Sequence, residues 1–369
     1  MRKLLVTGGA GFIGSNFVHH WLHAHPGDRL VVLDALTYAG NPENLQAVRQ
    51  RSELRFVEGD IGDTALVEQL LREEKIDTLV HFAAESHVDR SITGPDAFIA
   101  TNVVGTHSLL KAAKKVWLDS QPVPAHRFHH VSTDEVYGSL GPTDPAFTET
   151  TPYAPNSPYA ASKAASDHLV RSYHHTFGLD VTISNCSNNY GPFHFPEKLI
   201  PLIIVNILHG KPLPVYGDGR NIRDWLHVSD HCVGLDLILT RGRSGEFYNI
   251  GGRSECENIY LVKKLCRIAD ELFAADPALR ARFPKAPAAS GAASESLIRF
   301  VADRPGHDRR YAIDCTKVER ELSYRPAVPI DAGLQSTFQW YLSNEPWWTA
   351  ILNGSARKWL DQHYGQGSP

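Results

Sequence analysis

The segment VTGGAGFIG, from Val6 to Gly14, decides the fold of this chain, because a cluster of glycines joins an apolar run to an amphipathic one. The run Lys3 to Thr7 predicts a buried strand, and Phe12 to Ala24 predicts a helix. Glycines between such elements let the backbone approach a pyrophosphate, whose charge the helix N-terminus can face. The segment therefore predicts a dinucleotide site. The alternative is a tight strand-to-helix turn that binds nothing.

A carboxylate supports the dinucleotide interpretation. Asp34 ends the second apolar run, 20 residues after Gly14, where an acidic side chain can bind a ribose 2′-hydroxyl. The same charge would repel a 2′-phosphate, so NAD is favoured over NADP. Asp60 and Ile61 end the third run, and Ala83 to Ser86 follow the fourth, at the sheet edge where ligands bind. Asp60 alone could equally cap a helix.

Short apolar runs alternate with longer amphipathic segments through the first half of the chain. The predicted strands are Lys3 to Thr7, Arg29 to Asp34, Leu54 to Glu58, Thr78 to Phe82, Phe128 to Thr133 and Val181 to Ser187. The predicted helices are Phe12 to Ala24, Thr64 to Glu74, Thr101 to Trp117 and Tyr159 to Phe177. Alternation of this kind predicts an α/β fold of the Rossmann type, a doubly wound parallel sheet.

The alternation fades after Gly191, and the later sequence is richer in Pro, Trp and irregular polar segments. We therefore expect an NAD-binding domain with the catalytic residues over 1–190. Residues 191–369 should form a smaller α/β region that binds the substrate, with some chain crossing back. The Ala/Ser-rich segment Pro284 to Ser296 predicts a mobile surface loop.

Composition excludes several classes of protein. The net charge of −4 is spread without runs of one sign, which argues against a nucleic-acid partner. No signal peptide is evident, and the longest apolar stretch, Leu199 to Leu208, is shorter than the roughly 20 residues that cross a bilayer. Five scattered cysteines without a C-x-x-C pair indicate neither a disulfide framework nor a metal site. These features predict a cytoplasmic protein without a membrane partner.

Tyr159 and Lys163 form Y-x-x-x-K near the start of a predicted helix. Spacing of i, i+4 places the phenol and the ammonium on one face. An ammonium and an oxidised nicotinamide nearby would favour the phenolate, which could then take a proton from a sugar hydroxyl. The motif also arises by chance on helix surfaces, and the glycine segment upstream is what gives it meaning.

The run STDEVYG follows the fifth predicted strand and contains Thr133, Asp134 and Glu135. Two adjacent carboxyl groups beside a hydroxyl can serve as acid and base if their environments separate their pKa values, and elimination of water requires both. The alternative is that Asp134 caps a turn while Glu135 is solvated.

These residues together resemble the extended short-chain dehydrogenase/reductase superfamily and, within it, the NAD-dependent sugar-nucleotide epimerase/dehydratase family. The resemblance spans nearly the whole chain. The stretches that carry it are LDALTYAGN (Leu33 to Asn41), HFAAESHVDRSI (His81 to Ile92), VSTDEVYG, NCSNNYGPFHFPEKLIP (Asn185 to Pro201), LPVYGDGRNIRDWLHVSDH (Leu213 to His231), YNIGG (Tyr248 to Gly252) and DRPGHDRRY (Asp303 to Tyr311).

The resemblance implies a 4,6-dehydratase. Tyr159 takes the proton of the sugar 4-hydroxyl while NAD accepts hydride from carbon 4, and Lys163 lowers the pKa of the tyrosine and holds the nicotinamide ribose. Glu135 then removes the carbon 5 proton as Asp134 protonates the departing 6-hydroxyl, and Thr133 polarises the forming carbonyl. Hydride returns to carbon 6, so NAD is regenerated and should stay bound.

The resemblance also implies binding residues. The NAD site should be lined by Gly8, Gly11, Phe12, Ile13, Gly14, Asp34, Ala35, Leu36, Thr37, Asp60, Ile61, Ala83, Ala84, Glu85, Ser86, Thr101, Tyr159, Lys163 and Asn189. The nucleotide sugar should meet Ser86, Thr133, Asn188, Lys198, Leu199, Pro214, Val215, Tyr216, Arg223, Asn258, Asp303, Arg304 and His307. The helices starting near Thr101 and Tyr159 imply a homodimer.

Three alternatives stay open. The substrate could carry thymidine, uridine or guanosine, because pocket shape decides this preference and a methyl contact is worth only about 1–3 kcal/mol. A sugar-nucleotide 4-epimerase would leave Asp134 and Glu135 without a role. A non-catalytic NAD-binding sensor could keep the glycine segment without Tyr159, Lys163 and the two carboxyl groups.

Overall fold

A computed structural model describes residues 1–303 and 305–353. Twelve strands lie in the described residues: β1 Lys3–Thr7, β2 Arg29–Asp34, β3 Leu54–Glu58, β4 Thr78–His81, β5 Arg127–Thr133, β6 Val181–Cys186, β7 Asn188–Tyr190, β8 Leu213–Tyr216, β9 Ile222–His227, β10 Phe247–Ile250, β11 Glu255–Glu257 and β12 Ile298–Val301. The helices are α1 Phe12–Ala24, α2 Thr64–Glu73, α3 Val88–Thr93, α4 Asp96–Phe98, α5 Thr106–Ala113, α6 Pro158–Phe177, α7 Leu199–His209, α8 Val228–Arg241, α9 Asn258–Ala275, α10 Pro277–Arg282, α11 Thr316–Leu322, α12 Ile330–Ser343 and α13 Glu345–Asn353.

Seven strands form the main sheet in the order β10-β6-β5-β4-β1-β2-β3, and every neighbouring pair is parallel. The order reverses between β1 and β4, so their carboxyl ends open the crevice in which doubly wound sheets bind ligands. Apolar cores cover both faces of the sheet, as parallel strands require. The predicted fold class is therefore confirmed.

Most predicted elements lie within one residue of the observed ones, but the helix predicted over Thr101 to Trp117 begins earlier. Its helical run starts at Asp96 in α4 and continues to Leu118, with π-helical turns over Ile99–Gly105 and Lys114–Leu118. The run passes close over β3's end, since a Cβ added to Gly105 would lie 2.7 Å from Ile61 Cδ1. A glycine that allows such close packing adds no apolar residue to the helical pattern, so the sequence did not indicate where this helical run begins.

The second half of the chain divides between two places. β10 extends the main sheet beside β6, and α8 packs against α1, so this part of the chain crosses back to the first half. The remainder builds a separate apolar core from α7, α9, α12 and the two-stranded β8–β12 sheet. A three-stranded sheet, β11-β9-β7, joins the two parts at the crevice.

The segment Pro284 to Ser296 differs from the predicted exposed loop. It forms 3₁₀ turns over Pro287–Ser290 and Ser294–Leu297, and Ala286, Ala288 and Ser294 are buried. The Ser294 hydroxyl donates to Asp270 Oδ1 at 2.6 Å, which ties the segment to α9. The buried small residues pack closely, whereas Ser290, Gly291, Ala292 and Ala293 are exposed, and composition does not separate the two groups.

Within the described part of the chain, no helix is long and apolar enough to span a bilayer, and no group of side chains could hold a metal ion. All five cysteines are free thiols.

Candidate active site

The glycine turn has the shape that a pyrophosphate requires. Gly8 has a positive φ of 70°, and a Cβ there would lie 2.6 Å from Ala83 N on the neighbouring connection. Gly11 precedes α1 without any side-chain cap, so the first amides of that helix remain available to an anion. Gly14 is equally constrained, because its Cβ would lie 2.3 Å from Gly8 O.

Asp34, the last residue of β2, binds the glycine turn through its carboxyl group. Its Oδ2 accepts from Ala10 N at 2.9 Å and its Oδ1 accepts from Leu36 N at 2.9 Å. Burial raises the pKa of Asp34, whereas the two backbone donors lower it. Each oxygen keeps a further lone pair, which fits the hydroxyls of an adenosine ribose. The turn and this carboxylate thus fit NAD.

The other predicted cofactor residues lie along the same crevice or beneath it. Leu36 and its neighbours Ala35 and Thr37 continue from β2, and Leu36 lines a cavity of about 250 Å³ with Pro42, Phe56 and Glu58. Ile61 is buried in the apolar core, so its side chain supports the site from below. Asp60 Oδ1 accepts from Gly62 N at 2.7 Å, while α2 is capped by Asp63. Asp60 is therefore not the cap of that helix.

Residues after β4 are held by the helical run that follows. Asn102 accepts from Glu85 N and donates to Glu85 O, both at 2.9 Å, so the connection from Ala83 to Ser86 is fixed beside Thr101. Asn102 also donates to Ser162 Oγ at 2.8 Å on α6. One amide side chain thereby ties the predicted cofactor crevice to the helix that carries Tyr159.

The acid–base residues meet at the carboxyl end of β5. Thr133 ends the strand, and Asp134 and Glu135 begin a 3₁₀ helix over Asp134–Tyr137. Tyr159 lies in the first turn of α6, whose start is fixed by Pro158 and by Ser157 Oγ, which accepts from Ala160 N at 3.1 Å. The structure thus brings together the four side chains that STDEVYG and Y-x-x-x-K predicted to lie in one place.

Asp134 is almost fully buried, and its Oδ2 has no hydrogen-bond partner among the described residues. Its Oδ1 accepts from Thr133 Oγ1 across 3.4 Å, a weak contact. Burial, the Glu135 carboxylate and the Asp224 carboxylate raise the pKa of Asp134 well above its usual value, and Arg223 opposes them. These surroundings favour the neutral carboxylic acid over the carboxylate.

The environment of Tyr159 opposes ionisation of its phenol. Burial and the Glu135 carboxylate raise the pKa of Tyr159 well above 10. The Lys163 ammonium is directed inward, donating to Val131 O at 2.9 Å and lying 3.3 Å from His130 Nε2. That Lys163 lowers the pKa of the tyrosine stays a prediction.

The wall opposite β5 comes from β9 and β7. The Arg223 guanidinium stacks 4.2 Å from the ring centre of Tyr311 and donates to Asp308 O at 2.9 Å. Asn188 Oδ1 and Asn258 Oδ1 are buried acceptors without a hydrogen-bond partner in the described residues. Buried acceptors of this kind are costly unless a ligand satisfies them, so both suit a hydroxyl or a base N–H.

The remaining predicted substrate residues form two groups. Lys198 Nζ donates to Ser86 O at 2.9 Å, which joins the start of α7 at Leu199 to the cofactor crevice. Tyr216 lies edge-on to His307, whose Nδ1 is 2.6 Å from Asp303 Oδ1. Arg304 lies outside the described residues.

The predicted substrate residues on β8 differ in the exposure of their side chains. Pro214 and Tyr216 are half-exposed, whereas the side chain of Val215 is buried in the second apolar core. Val215 can reach a ligand only through its backbone. Asn189 Oδ1, on β7, accepts a hydrogen bond from His231 Nδ1 at 2.9 Å.

Several charged groups near the site were not predicted from the sequence. Glu197 is buried against Arg90 Nη2 at 2.8 Å, Asp224 accepts from Gly252 N and Ser254 N, and Asp167 lies beneath Lys163 with His130. All lie within or beside the quoted motifs. The signal that could have found them is an ionisable residue inside an otherwise apolar strand or helix face.

The fold and the site define a class. A doubly wound sheet with a glycine turn at its switch point and a tyrosine–lysine pair on the helix after β5 is the architecture of the extended short-chain dehydrogenases/reductases. The chain belongs to the family whose model is described as GDP-mannose 4,6 dehydratase, which matches residues 5–337.

Individual proteins narrow the comparison. The chain is 56% identical over 359 residues to a dTDP-glucose 4,6-dehydratase of Xanthomonas campestris pv. campestris, covering 97% of this chain and 98% of that protein. It is 54% identical to one from Neisseria meningitidis serogroup B, with the same coverage. A crystal structure of DesIV, a dTDP-glucose 4,6-dehydratase from Streptomyces venezuelae with NAD and TYD bound, has a TM-score of 0.83 at 49% identity. That match covers 95% of this chain and 99% of DesIV.

Proposed function

We propose that this chain is a hydro-lyase that converts dTDP-glucose into dTDP-4-keto-6-deoxyglucose and water, with NAD as a cofactor regenerated in each turnover. The observation that carries the proposal is the pair Asp134 and Glu135 beside Tyr159, with burial and neighbouring carboxylates holding Asp134 in its acid form. An acid next to a base is what removal of water requires. Relatives of matching length that are named for this activity support the same choice.

The glycine turn, Asp34 and the connection after β4 would hold NAD, which supplies the acceptor for the carbon 4 hydride and returns that hydride at carbon 6. Tyr159 takes the proton of the 4-hydroxyl. The electrostatics of Tyr159 oppose ionisation within the protein alone, so the base must gain its driving force from positive charge brought to the crevice. Thr133, at the end of β5, donates a hydrogen bond to the developing carbonyl oxygen.

Once carbon 4 is a ketone, the proton on carbon 5 is acidic. Glu135 removes it while Asp134 donates its proton to the 6-hydroxyl, which leaves as water. Glu135 then returns its proton to carbon 5. Over one cycle Tyr159 gains a proton and Asp134 loses one. A proton must therefore pass from Tyr159 to Asp134, directly or through solvent, before the next turnover.

We assign nucleotide binding to the second half of the chain. Lys198 and Arg223 supply cationic partners for the diphosphate, together with Arg304 by its place in the sequence. Tyr216 and His307 would face the base, while Asn188 and Asn258 would satisfy their buried acceptors on the ligand. On this assignment 1–190 hold the cofactor and the acid–base groups, and 191–369 mainly hold the sugar nucleotide.

We also propose a cytoplasmic homodimer. The helical run from Asp96 to Leu118 exposes Ile99 and Val104, and it packs beside α6 on the same face of the sheet. Two copies that pair these helices would cover the apolar side chains, and light scattering of the purified protein tests this. Five free thiols suit a reducing compartment.

Mass spectrometry tests the proposed reaction directly. dTDP-glucose and UDP-glucose are incubated separately with purified protein, without added cofactor. We expect loss of one water molecule from dTDP-glucose, faster than from UDP-glucose, which would establish the reaction, the nucleotide preference and retained NAD together.

The control is Tyr159→Phe, which should leave the mass of both sugars unchanged. Wild-type protein that leaves both masses unchanged even after NAD is added would contradict the proposal. An NMR spectrum of the recovered sugar would then show whether carbon 4 had been inverted, as a 4-epimerase requires.

A further inference from the structure

A buried polar cluster lies beneath the catalytic tyrosine, and two of its three members, His130 and Asp167, have no role in the proposed reaction. It consists of Lys163 and Asp167, one turn apart on α6, and His130 on β5 between them; we call it the lysine cluster. All three side chains are buried. Burying three ionisable groups together is costly unless their charges and hydrogen bonds are matched, so their arrangement calls for a function.

The two oxygens of Asp167 have different surroundings. Oδ2 is surrounded by donors, with Ser132 Oγ at 2.8 Å, Tyr153 OH at 2.9 Å and Asn185 Nδ2 at 3.5 Å. Oδ1 has no hydrogen bond of good geometry and lies 3.2 Å from His130 Nε2. The donors on Oδ2 stabilise the carboxylate and orient Oδ1 toward the imidazole.

His130 Nε2 is shared between two neighbours. It lies 3.2 Å from Asp167 Oδ1 and 3.3 Å from Lys163 Nζ. A ring nitrogen either carries a hydrogen and donates to the carboxylate, or carries a lone pair and accepts from the ammonium. Lys163 Nζ also donates to Val131 O at 2.9 Å. The imidazole therefore couples the position of Lys163 to the charge of Asp167.

We propose that Asp167, acting through His130, is a positioning residue that keeps Lys163 in its ammonium form and holds Nζ at Val131 O, two residues before Thr133. The inference rests on the proposed function, because the role of Lys163 toward Tyr159 and the cofactor ribose belongs to that reaction. Asp167 touches neither substrate nor reacting atoms, and its effect is carried entirely by the lysine.

The surroundings of Lys163 support the need for such a residue. Burial lowers the pKa of Lys163 to about 8, and the Asp167 carboxylate is the first of the groups that raise it. Burial raises the pKa of Asp167 to about 6, so at neutral pH it is mostly ionised and opposes deprotonation of the lysine. The other ionisable side chains facing the cluster are His81 and His129 from the sheet, Cys186 from β6, Tyr137 after β5 and Tyr153 from the loop before α6.

The test is the pH profile of Asp167→Asn. Activity that needs the ammonium is lost as pH rises through the pKa of Lys163, and removal of the negative charge lowers that pKa. We expect the alkaline limb of kcat to move to lower pH by about one unit, a tenfold loss of relative rate on that side. Asp230→Asn is the matched control, because Asp230 is a buried carboxylate on α8 that accepts from Ala327 N and Val328 N. Its alkaline limb should stay in place.

A second measurement needs no substrate. The ¹³Cε signal of Lys163 in lysine-labelled protein, assigned by its loss in Lys163→Met, reports the lysine pKa directly, and we expect a lower midpoint in Asp167→Asn. If that variant does not fold, Tyr153→Phe and Ser132→Ala each remove one donor from Asp167 and should lower the midpoint by a smaller amount.

An unmoved lysine midpoint in folded variants would overturn the inference, even if kcat fell. Failure of the wild-type protein to dehydrate dTDP-glucose would overturn the proposed function. The lysine titration needs no substrate, so it would still test the effect of Asp167 on Lys163.

Discussion

The carboxyl ends of β2 and β5 each carry a buried aspartate, and the two are held in opposite ways. Asp34 accepts one backbone hydrogen bond on each oxygen, from Ala10 N and Leu36 N. Among the described residues, Asp134 has a single weak contact, with Thr133, and one oxygen without a hydrogen-bond partner, and two carboxylates lie nearby. Burial raises the pKa of both carboxyl groups, but backbone donors oppose that rise at Asp34 whereas neighbouring carboxylates add to it at Asp134.

The difference separates the site into two parts. We call the part around Gly8 and Asp34 the cofactor side, and the part around Asp134, Glu135 and Tyr159 the acid–base side. At the cofactor side, backbone amides stabilise the charged form of Asp34, which binds hydroxyls as an acceptor. At the acid–base side, like charges stabilise the neutral form of Asp134, which can give a proton away. If this division is correct, changes on one side should spare the steps that belong to the other.

Glu135→Gln should have the largest effect. A glutamine cannot remove the carbon 5 proton, so dehydration should fall by about 10³-fold or more, within the range for loss of a general base. Oxidation at carbon 4 depends on Tyr159 and the cofactor side, and it should continue in part. Absorbance of reduced nicotinamide should therefore accumulate on the variant after dTDP-glucose is added.

Glu149→Gln is the matched control for that variant, because Glu149 Oε1 accepts from Asn249 N at 2.9 Å and glutamine can still accept there. It should turn over without accumulation. Rapid release of dehydrated product by Glu135→Gln would remove the assigned role of Glu135.

Asp134→Asn should have the next largest effect, about 10²-fold to 10³-fold on dehydration, because an amide cannot protonate a leaving hydroxyl. The raised pKa of Asp134 favours its acid form, and that form is lost as pH rises through the pKa. The gap between wild type and variant should therefore narrow at alkaline pH.

A substrate with fluorine in place of the 6-hydroxyl sharpens this test, because fluoride leaves without a proton. Asp134→Asn should process the fluorinated sugar much closer to the wild-type rate. An equal defect on both sugars would show that Asp134 shapes the site rather than donating a proton.

Asp34→Asn tests the cofactor side. The amide group can accept from only one of the two backbone donors, and hydrogen bonds to a charged group are worth about 1.5–3 kcal/mol, so NAD affinity should fall about 10-fold to 100-fold. Calorimetry on protein stripped of cofactor measures this, and Asp63→Asn, which preserves the cap of α2, serves as the control. With NAD saturating, dehydration should be close to normal, and a lasting loss of kcat would contradict the division.

The cofactor side was the more predictable of the two from sequence. Gly8 follows β1, and Asp34 ends β2, where its carboxyl group binds backbone amides. The spacing of these two residues along the chain indicates that they meet at the same edge of the sheet. The predicted strands β1, β2 and β3 match the observed bounds, and β1 and β2 have the nearly continuous apolar sequence of strands that are buried on both faces.

For the acid–base side, the sequence predicted which residues lie together but not the electrostatics of their surroundings. STDEVYG and Y-x-x-x-K identified the residues, yet the direction of Lys163 depends on His130 and Asp167, which are brought together only by packing α6 on β5. Val215 shows the same limit, because only the second core reveals that its side chain points away from the ligand. Burial and partners across long sequence separations decide such properties, and a local pattern does not contain them.

The smallest predicted effect concerns the start of α6. Ser157 Oγ accepts from Ala160 N at 3.1 Å and fixes the first turn, which carries Tyr159 toward the acid–base side. Ser157→Ala should cost about 1 kcal/mol of stability, as loss of an N-cap typically does, measured by urea unfolding. Because the turn is also held by Pro158 and by the packing of α6 on β5, kcat should fall less than about tenfold. Ser157→Asp, which can cap the same amide, should recover the stability, and a large loss of kcat that this variant fails to recover would mean that Ser157 acts on the substrate rather than on the helix.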